Sequence, residues 1–124
     1  MLVHTYLLCM GSNQEGERHL AAAVTALRTR FGTLHCGERI RTVAEGTASG
    51  GYYNNQALRM WTTATPEEVL LFCKQLEKEN GRTPAGKAAG YVPLDIDLLV
   101  ADGCVLRPED MQKEYVQAAL ATLS

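Results

Sequence analysis

Two aspartates, Asp95 and Asp97, lie two residues apart in the apolar segment 91–100. Residues two apart in a β-strand point to the same face, so both carboxylates share one side of the predicted strand. Ionised carboxylates beside an apolar layer are unfavourable unless a cation neutralises them, and Mg²⁺ bound by carboxylates and substrate phosphates would do so. The pair therefore predicts a metal clamp for phosphoryl chemistry. An edge strand with one solvated polar face is the alternative that this spacing alone leaves open.

Two β-α-β units are predicted to position this pair. Hydrophobic periodicity indicates the segments in chain order: a strand over 2–10, a helix over 15–31, a strand over 34–42, a strand over 53–63, a helix over 65–80 and the aspartate strand. A loop over 82–93 leads into the aspartate strand, and the tail 108–123 is expected to be helical. This order predicts an α+β fold, the ferredoxin-like split βαβ sandwich, with an antiparallel sheet, helices on one face and the other face free for a ligand.

Capping signals mark the start of both predicted helices. Thr65 is a favourable N-cap, Pro66 suits the first helical position, and Glu68 completes a capping box. Ser12 and Asn13, which follow the first strand, are interpreted as caps of the first helix.

Composition limits the classes of protein to consider. The chain has 124 residues, of which 46% are hydrophobic, and this size suits one domain over 1–124. A net charge of −2 gives no general attraction for polyanions. The sequence also lacks the local basic patch that nucleic-acid binding would need. Because no apolar run is long enough to span a bilayer and no targeting segment is visible, we expect a cytoplasmic protein without a membrane partner. The oligomeric state stays open.

The cysteines and histidines do not predict a metal site. The cysteines are spread along the chain without close pairs, so we expect reduced, partly buried thiols: Cys9, Cys36, Cys73 and Cys104. The histidines likewise show no ligand spacing: His4, His19 and His35.

Four motifs in a fixed order resemble one enzyme family. They are Gly11-Ser12-Asn13 after the first strand, Tyr53-x-Asn55 on the third, Glu77-x-x-x-Gly81-Arg82 at the end of the second helix, and Leu94-Asp95-Ile96-Asp97. Together they resemble 6-hydroxymethyl-7,8-dihydropterin pyrophosphokinase, an enzyme of folate biosynthesis. The resemblance runs from about residue 6 to residue 100, and it implies a short, diverged member of that family.

The resemblance implies a reaction and its metal site. Asp95 and Asp97 would hold two Mg²⁺ ions that bridge the phosphates of ATP, the co-substrate. The pterin hydroxymethyl oxygen would attack the β-phosphorus and release AMP. Asp97 and Arg82 would be the catalytic residues, with Asp97 helping to draw off the hydroxyl proton. Such a transfer depends on positioning and charge neutralisation, which carboxylates, metal ions and basic side chains provide together.

The resemblance also implies the substrate contacts. Gly11, Tyr53 and Asn55 would bind the pterin, and the loop 43–51 would fold over it. Glu77, Arg82 and Lys87 would lie at the nucleotide.

Taken one at a time, these residues have simpler interpretations. Asn55 could cap a turn, Tyr53 could be a half-buried strand aromatic, and Glu77 with Arg82 could form a solvated helix end. Lys87 could be a solvated loop lysine, because the surrounding Gly81-x₄-Gly86-Lys87-Ala88 follows a helix and lacks the hydroxyl residue of a Walker A phosphate loop.

The chain departs from the family pattern just before the aspartates. Val92 stands where the family usually has a phosphate-binding arginine, and the upstream loop keeps only Arg82 and Lys87 as cations. Family members also contact the nucleotide and the pterin through residues that follow the aspartate strand. For these contacts, this chain offers only the imperfect candidates Arg107, Lys113 and Tyr115. A member that binds a pterin, a nucleotide or a protein partner without turnover is therefore the alternative function.

Overall fold

The computed structural model describes residues 2–43 and 51–123. Its strands and helices follow in chain order: β1 (His4–Ser12), α1 (Gly16–Phe31), β2 (Thr33–Cys36), β3 (Ile40–Val43), β4 (Tyr52–Thr62), α2 (Pro66–Glu79), α3 (Pro84–Ala88), β5 (Asp95–Ala101), β6 (Cys104–Val105), α4 (Pro108–Met111) and α5 (Glu114–Ala121). The predicted strand over 34–42 is two short strands, and the predicted loop over 82–93 contains α3. The tail is helical as expected.

The two long helices bury the faces that their apolar spacing predicts. Leu20, Ala23, Leu27 and Phe31 of α1 are buried, and Gly32 ends that helix with a φ of 97° that favours glycine. Helix α2 begins with the predicted capping box, in which the Thr65 side chain accepts from the Glu68 N–H.

The start of α1 differs from the prediction. Its N-cap is Glu15, in the left-handed region with a φ of 46°, and no side chain caps the helix. Ser12 instead hydrogen-bonds within its own turn, where its hydroxyl and the backbone of Gln14 are partners. The interpretation of Ser12 and Asn13 as helix caps was therefore wrong, because Ser12 bonds within its own turn and the Asn13 side chain bonds to the backbone of residues 90 and 92.

All strand pairs described in the sheet are antiparallel. The strands lie in the order β2-β4-β1-β5-β6, and β3 also pairs with β4. The central strand β1 pairs with β4 along its whole length, from His4 opposite Thr62 to Ser12 opposite Asn54. This six-stranded sheet with packed helices confirms the α+β, ferredoxin-like fold class.

The two faces of the sheet are covered to different extents. The larger core lies under α1 and α2, where Tyr6, Leu8, Leu58, Met60 and other residues are fully buried. On the opposite face a smaller cluster lies under α5, which packs on β4, β1 and β3. This second face is therefore free for a ligand only away from α5.

Two expectations from composition can be compared with the described residues. The four cysteines are free thiols; Cys9 and Cys73 are buried, Cys36 is half-buried and Cys104 is exposed. Within residues 2–43 and 51–123, no helix is both long enough and apolar enough to cross a membrane.

Candidate active site

Strand register brings the predicted site residues of β1, β4 and β5 together on the second face of the sheet. Gly11 of β1 lies opposite Asn55 of β4 on one side and opposite Asp95 of β5 on the other. One pair further along, Cys9 lies opposite Asp97. The intervening Ile96 belongs to the larger core on the opposite face, so the aspartates share the second face as their spacing predicts.

Gly11 and Asn55 make close contact in this row. A Cβ atom at Gly11 would lie 3.1 Å from Asn55 Oδ1 and 3.7 Å from Tyr53 Cδ1, so a side chain there would crowd both residues. Asn55 is 2% exposed, and its Nδ2 donates to Thr42 Oγ1 at 2.9 Å. Asn55 is therefore a buried strand residue with a fixed amide, which excludes the turn-cap interpretation. Thr42, which fixes it, carried no motif signal.

The two aspartates form a crowded negative pair. Asp97 is 22% exposed and Asp95 is 36% exposed at their side chains. Burial, together with the charge of Asp95, raises the pKa of Asp97 to about 6. Each carboxylate has an arginine beside it: Arg82 Nη1 lies 2.6 Å from Asp95 Oδ1, and Arg107 Nη1 lies 3.6 Å from Asp97 Oδ1.

Arg82 and Glu77 form an ion pair in which Glu77 is buried and Arg82 is half-buried, rather than a solvated helix end. Glu77 is 4% exposed, and its Oε2 accepts from the Ile96 N–H at 2.8 Å and lies 3.2 Å from Arg82 Nη1. Arg82 Nη1 also donates to the Leu94 carbonyl at 3.3 Å. The Glu77 carboxylate thus binds two groups. One is the backbone N–H of Ile96, which lies between the two aspartates, and the other is the guanidinium of Arg82, which neutralises Asp95.

The residues predicted to bind nucleotide line one open cavity of about 560 Å³ between α2 and the segment that follows it. Glu77, Arg82 and Lys87 all contribute to its wall, and so do Lys74 and Lys78. Lys87 is exposed and lies in α3, which follows helix α2 and not a strand as a Walker A loop would. The excess of cations makes this cavity suitable for an anion.

The segment that carries Val92 is held by Asn13. Asn13 Oδ1 accepts from the Val92 N–H at 2.7 Å, the Asn13 N–H donates to the Val92 carbonyl at 3.0 Å, and Asn13 Nδ2 donates to the Gly90 carbonyl at 2.6 Å. Val92 itself is 9% exposed. Asn13 therefore fixes the approach to Asp95, a role that motif reading did not identify, since a polar residue after a strand also fits a helix cap.

Arg107, which the sequence offered only as an imperfect candidate, lies at the site together with Asp110, which no motif indicated. Arg107 immediately precedes α4, and its Nε contacts Asp110 Oδ2 while its Nη1 faces Asp97. Asp110 Oδ1 also accepts from Lys113 Nζ at 2.7 Å. The Arg-Pro-x-Asp spacing could have indicated this pair. Pro108 starts a helix, which places Asp110 one turn from Arg107.

Tyr53 and Tyr115 border the same face. Burial raises the pKa of both hydroxyls, and the charge of Asp95 raises the pKa of Tyr53 further.

The loop 43–51, expected to cover the pterin, falls outside the described residues from 44 to 50. Within the described part of the chain, no group of three or more His, Cys, Asp and Glu side chains could hold a metal ion.

Comparison with known proteins places the chain in a family. The family model described as 7,8-dihydro-6-hydroxymethylpterin-pyrophosphokinase (HPPK) matches residues 7–124. The 2-amino-4-hydroxy-6-hydroxymethyldihydropteridine pyrophosphokinases of two strains of Porphyromonas gingivalis are 34% identical to the chain over 98 residues. The alignment covers 75% of this chain and 66% of each relative, so it spans just under two thirds of their length. The chain belongs to the HPPK family.

Proposed function

We propose that this chain transfers pyrophosphate from ATP to 6-hydroxymethyl-7,8-dihydropterin, a step of folate biosynthesis. The observation that carries the proposal is the row Asn55–Gly11–Asp95, which sets a fixed amide beside a carboxylate pair on one face of the sheet. The family and the names of the Porphyromonas gingivalis relatives support the same reaction.

The pterin would lie against Gly11, where the missing side chain lets a flat ring approach the backbone. Asn55 can hydrogen-bond the edge of the ring, because Thr42 occupies its Nδ2 and leaves Oδ1 directed over Gly11. Tyr53 would line the pocket from the same strand. This arrangement would direct the hydroxymethyl group of the ring toward the neighbouring aspartates.

Asp95 and Asp97 fit a hard divalent cation, since they present carboxylate oxygens on one face and their mutual repulsion favours a shared counter-ion. We infer that they would hold Mg²⁺ at this position. Bound Mg²⁺ would neutralise charge on the phosphates of ATP during transfer. Asp97 would also help to remove the proton of the attacking hydroxyl group.

The nucleotide would occupy the cavity lined by Glu77, Arg82 and Lys87. Arg82 links this cavity to Asp95, so it is suited to neutralise the phosphates next to the metal site. In the reaction, the hydroxymethyl oxygen forms a bond to the β-phosphorus, the bond from that phosphorus to the bridging oxygen of the α-phosphate breaks, and AMP leaves.

One observation favours a second function, binding without turnover. Val92 is apolar and nearly buried, so it offers no charge to a phosphate where a family arginine is expected. Loss of one contact that stabilises a transition state commonly lowers a rate about a hundredfold. A chain that binds pterin or nucleotide and releases no AMP would fit this alternative.

The proposal is tested by incubating the protein with Mg²⁺, ATP and 6-hydroxymethyl-7,8-dihydropterin and quantifying AMP and pyrophosphorylated pterin. We expect pterin-dependent AMP that disappears with EDTA and in Asp97→Ala. Asp102→Ala is the matched control, because Asp102 follows the same strand but pairs with His4, away from the site. Pterin binding by folded wild-type protein without AMP above the Asp97→Ala level would support the second function instead.

A further inference from the structure

Arg107 is a second arginine at the aspartate pair, and it comes from a different part of the chain than Arg82. We propose that Arg107, held in place by Asp110, binds a phosphate group of the nucleotide and so supplies the cation that Val92 lacks. The inference rests on the proposed function, because it assumes that a nucleoside triphosphate is the ligand beside Asp97.

The contact of Arg107 with Asp97 is loose enough to be exchanged. Arg107 Nη1 lies 3.6 Å from Asp97 Oδ1, and the Arg107 side chain is 51% exposed. Arg82, in contrast, is 18% exposed, and its Nη1 contacts Asp95, Glu77 and the Leu94 carbonyl. A half-exposed guanidinium at such a distance contributes little to stability. Arg107 can therefore turn from Asp97 to an incoming phosphate at small cost.

Asp110 fixes the other edge of the Arg107 guanidinium. Its side chain is 11% exposed and contacts Arg107 Nε through Oδ2 and Lys113 Nζ through Oδ1. Hydrogen bonds from Lys113 and Arg107 hold the pKa of Asp110 below its usual range, so the anchor stays ionised. A guanidinium anchored at Nε keeps its two terminal nitrogens available, which suits bidentate phosphate binding.

Few positive charges lie near the aspartate pair to bind a phosphate group. Among the ion pairs of residues 2–43 and 51–123, the cations that reach Asp95 or Asp97 are Arg82 and Arg107. Val92 cannot contribute, because its side chain is apolar and its backbone is engaged by Asn13. Two carboxylates repel a triphosphate, and beside the proposed Mg²⁺ Arg107 offers a positive charge on the Asp97 side.

The first test measures binding of α,β-methylene ATP with Mg²⁺ by isothermal titration calorimetry. We expect Arg107→Ala to weaken binding by about 10- to 100-fold, since it removes a charge-assisted contact to phosphate. Arg107→Lys should recover part of the affinity, because it keeps the charge and loses the planar fork. Arg28→Ala is the matched control, because Arg28 is exposed in the last turn of α1. The affinity of this variant for the analogue should equal that of the wild-type protein.

A double-mutant cycle separates positioning from structure. Asp110→Asn removes the anchoring charge and should weaken analogue binding less than Arg107→Ala does. If Asp110 acts through Arg107, the double variant Arg107→Ala/Asp110→Asn should bind no more weakly than Arg107→Ala alone. Additive losses would contradict the positioning role, because they would mean that Asp110 supports binding by another route.

The outcomes distinguish this inference from the function on which it rests. Wild-type affinity in both Arg107→Ala and Arg107→Lys, with AMP release intact, would overturn the role of Arg107 and leave the pyrophosphokinase proposal standing. Failure of folded wild-type protein to bind the analogue would overturn both. Circular dichroism and a melting temperature for each variant exclude loss of folding as the cause of weaker binding.

Discussion

The two faces of the sheet use the same strands for opposite purposes. Toward α1 and α2, the central strands present side chains such as Leu8 and Met60, which are fully buried. Toward α5, the same strands present Asn55, Gly11 and the aspartate pair beside a smaller apolar cluster. The difference between the faces shows that core residues and candidate site residues alternate along one strand.

This separation has a physical cost on the second face. A buried amide and two neighbouring carboxylates do not add to the hydrophobic free energy of folding, and Asp97 is held in an environment that opposes its ionisation. The larger core on the first face offsets this cost. Substitutions on the second face should therefore lower activity, whereas substitutions on the first face should lower stability.

The largest effect is expected for Asp97→Asn. Removing one of the two carboxylates that would hold the metal should lower AMP release about a thousandfold in a coupled assay. A decrease of less than about tenfold would contradict the assignment of Asp97 to the reaction. Asp102→Asn, at an exposed carboxylate beyond the same strand, should keep wild-type activity.

The same variant should become more stable in the absence of metal. Because the folded-state pKa of Asp97 lies at about 6 and its ordinary value is 3.8, ionisation costs folding free energy as the pH rises through that interval. At pH 7 the asparagine avoids this cost, and urea unfolding should show a gain of about 1–3 kcal/mol. The gain should vanish below pH 4, and a gain that persisted there would have another origin.

Leu8→Ala should have the opposite pattern. Leu8 is fully buried in the larger core, so the cavity left by the substitution should lower the free energy of unfolding by about 2–5 kcal/mol. At a low temperature, where the variant remains folded, kcat should stay within about twofold of wild type because the second face is unchanged. A large loss of kcat in folded Leu8→Ala would mean that the two faces are coupled.

The alternating pattern explains how much of this arrangement the sequence predicts. Period-two spacing assigns Leu58 and Met60 to the core and both aspartates to one face, and the structure agrees. Local signals also locate the capping box of α2. They cannot distinguish a helix cap from a loop clamp, so Asn13 was misassigned: its partner Val92 lies 79 residues away along the chain.

Charged residues after the last strand were the hardest to interpret. Arg107 reaches Asp97 only because the hairpin of β5 and β6 turns the chain back and α4 begins directly after it. Such a contact depends on tertiary geometry, and no spacing rule relates the two residues. Glu77 was misjudged for the same reason when read alone, since a glutamate near a helix end is usually solvated, whereas here β5 covers it.

Gly11→Ala tests the second face by crowding rather than by charge. The added methyl group would meet Asn55 Oδ1 at 3.1 Å, so the amide must shift by a few tenths of an ångström. We expect pterin affinity, measured by fluorescence titration, to fall about tenfold because the amide edge is displaced. The control is Gly32→Ala, which should lower stability by about 1 kcal/mol through its positive φ and leave pterin affinity unchanged. Equal pterin affinity in both variants would contradict the proposed position of the ring.

The smallest effect concerns the buried thiols, one on each face. Burial raises the pKa of Cys9, in the smaller cluster, and of Cys73, in the larger core, to about 12. Neither should react with iodoacetamide at pH 8 in the native protein, whereas exposed Cys104 should. Since the eight-residue helix α5 covers the smaller cluster, Cys9 should become reactive at lower urea than Cys73. Mass spectrometry of labelled peptides across a urea series would detect this order, and earlier labelling of Cys73 would show that the first face opens more easily.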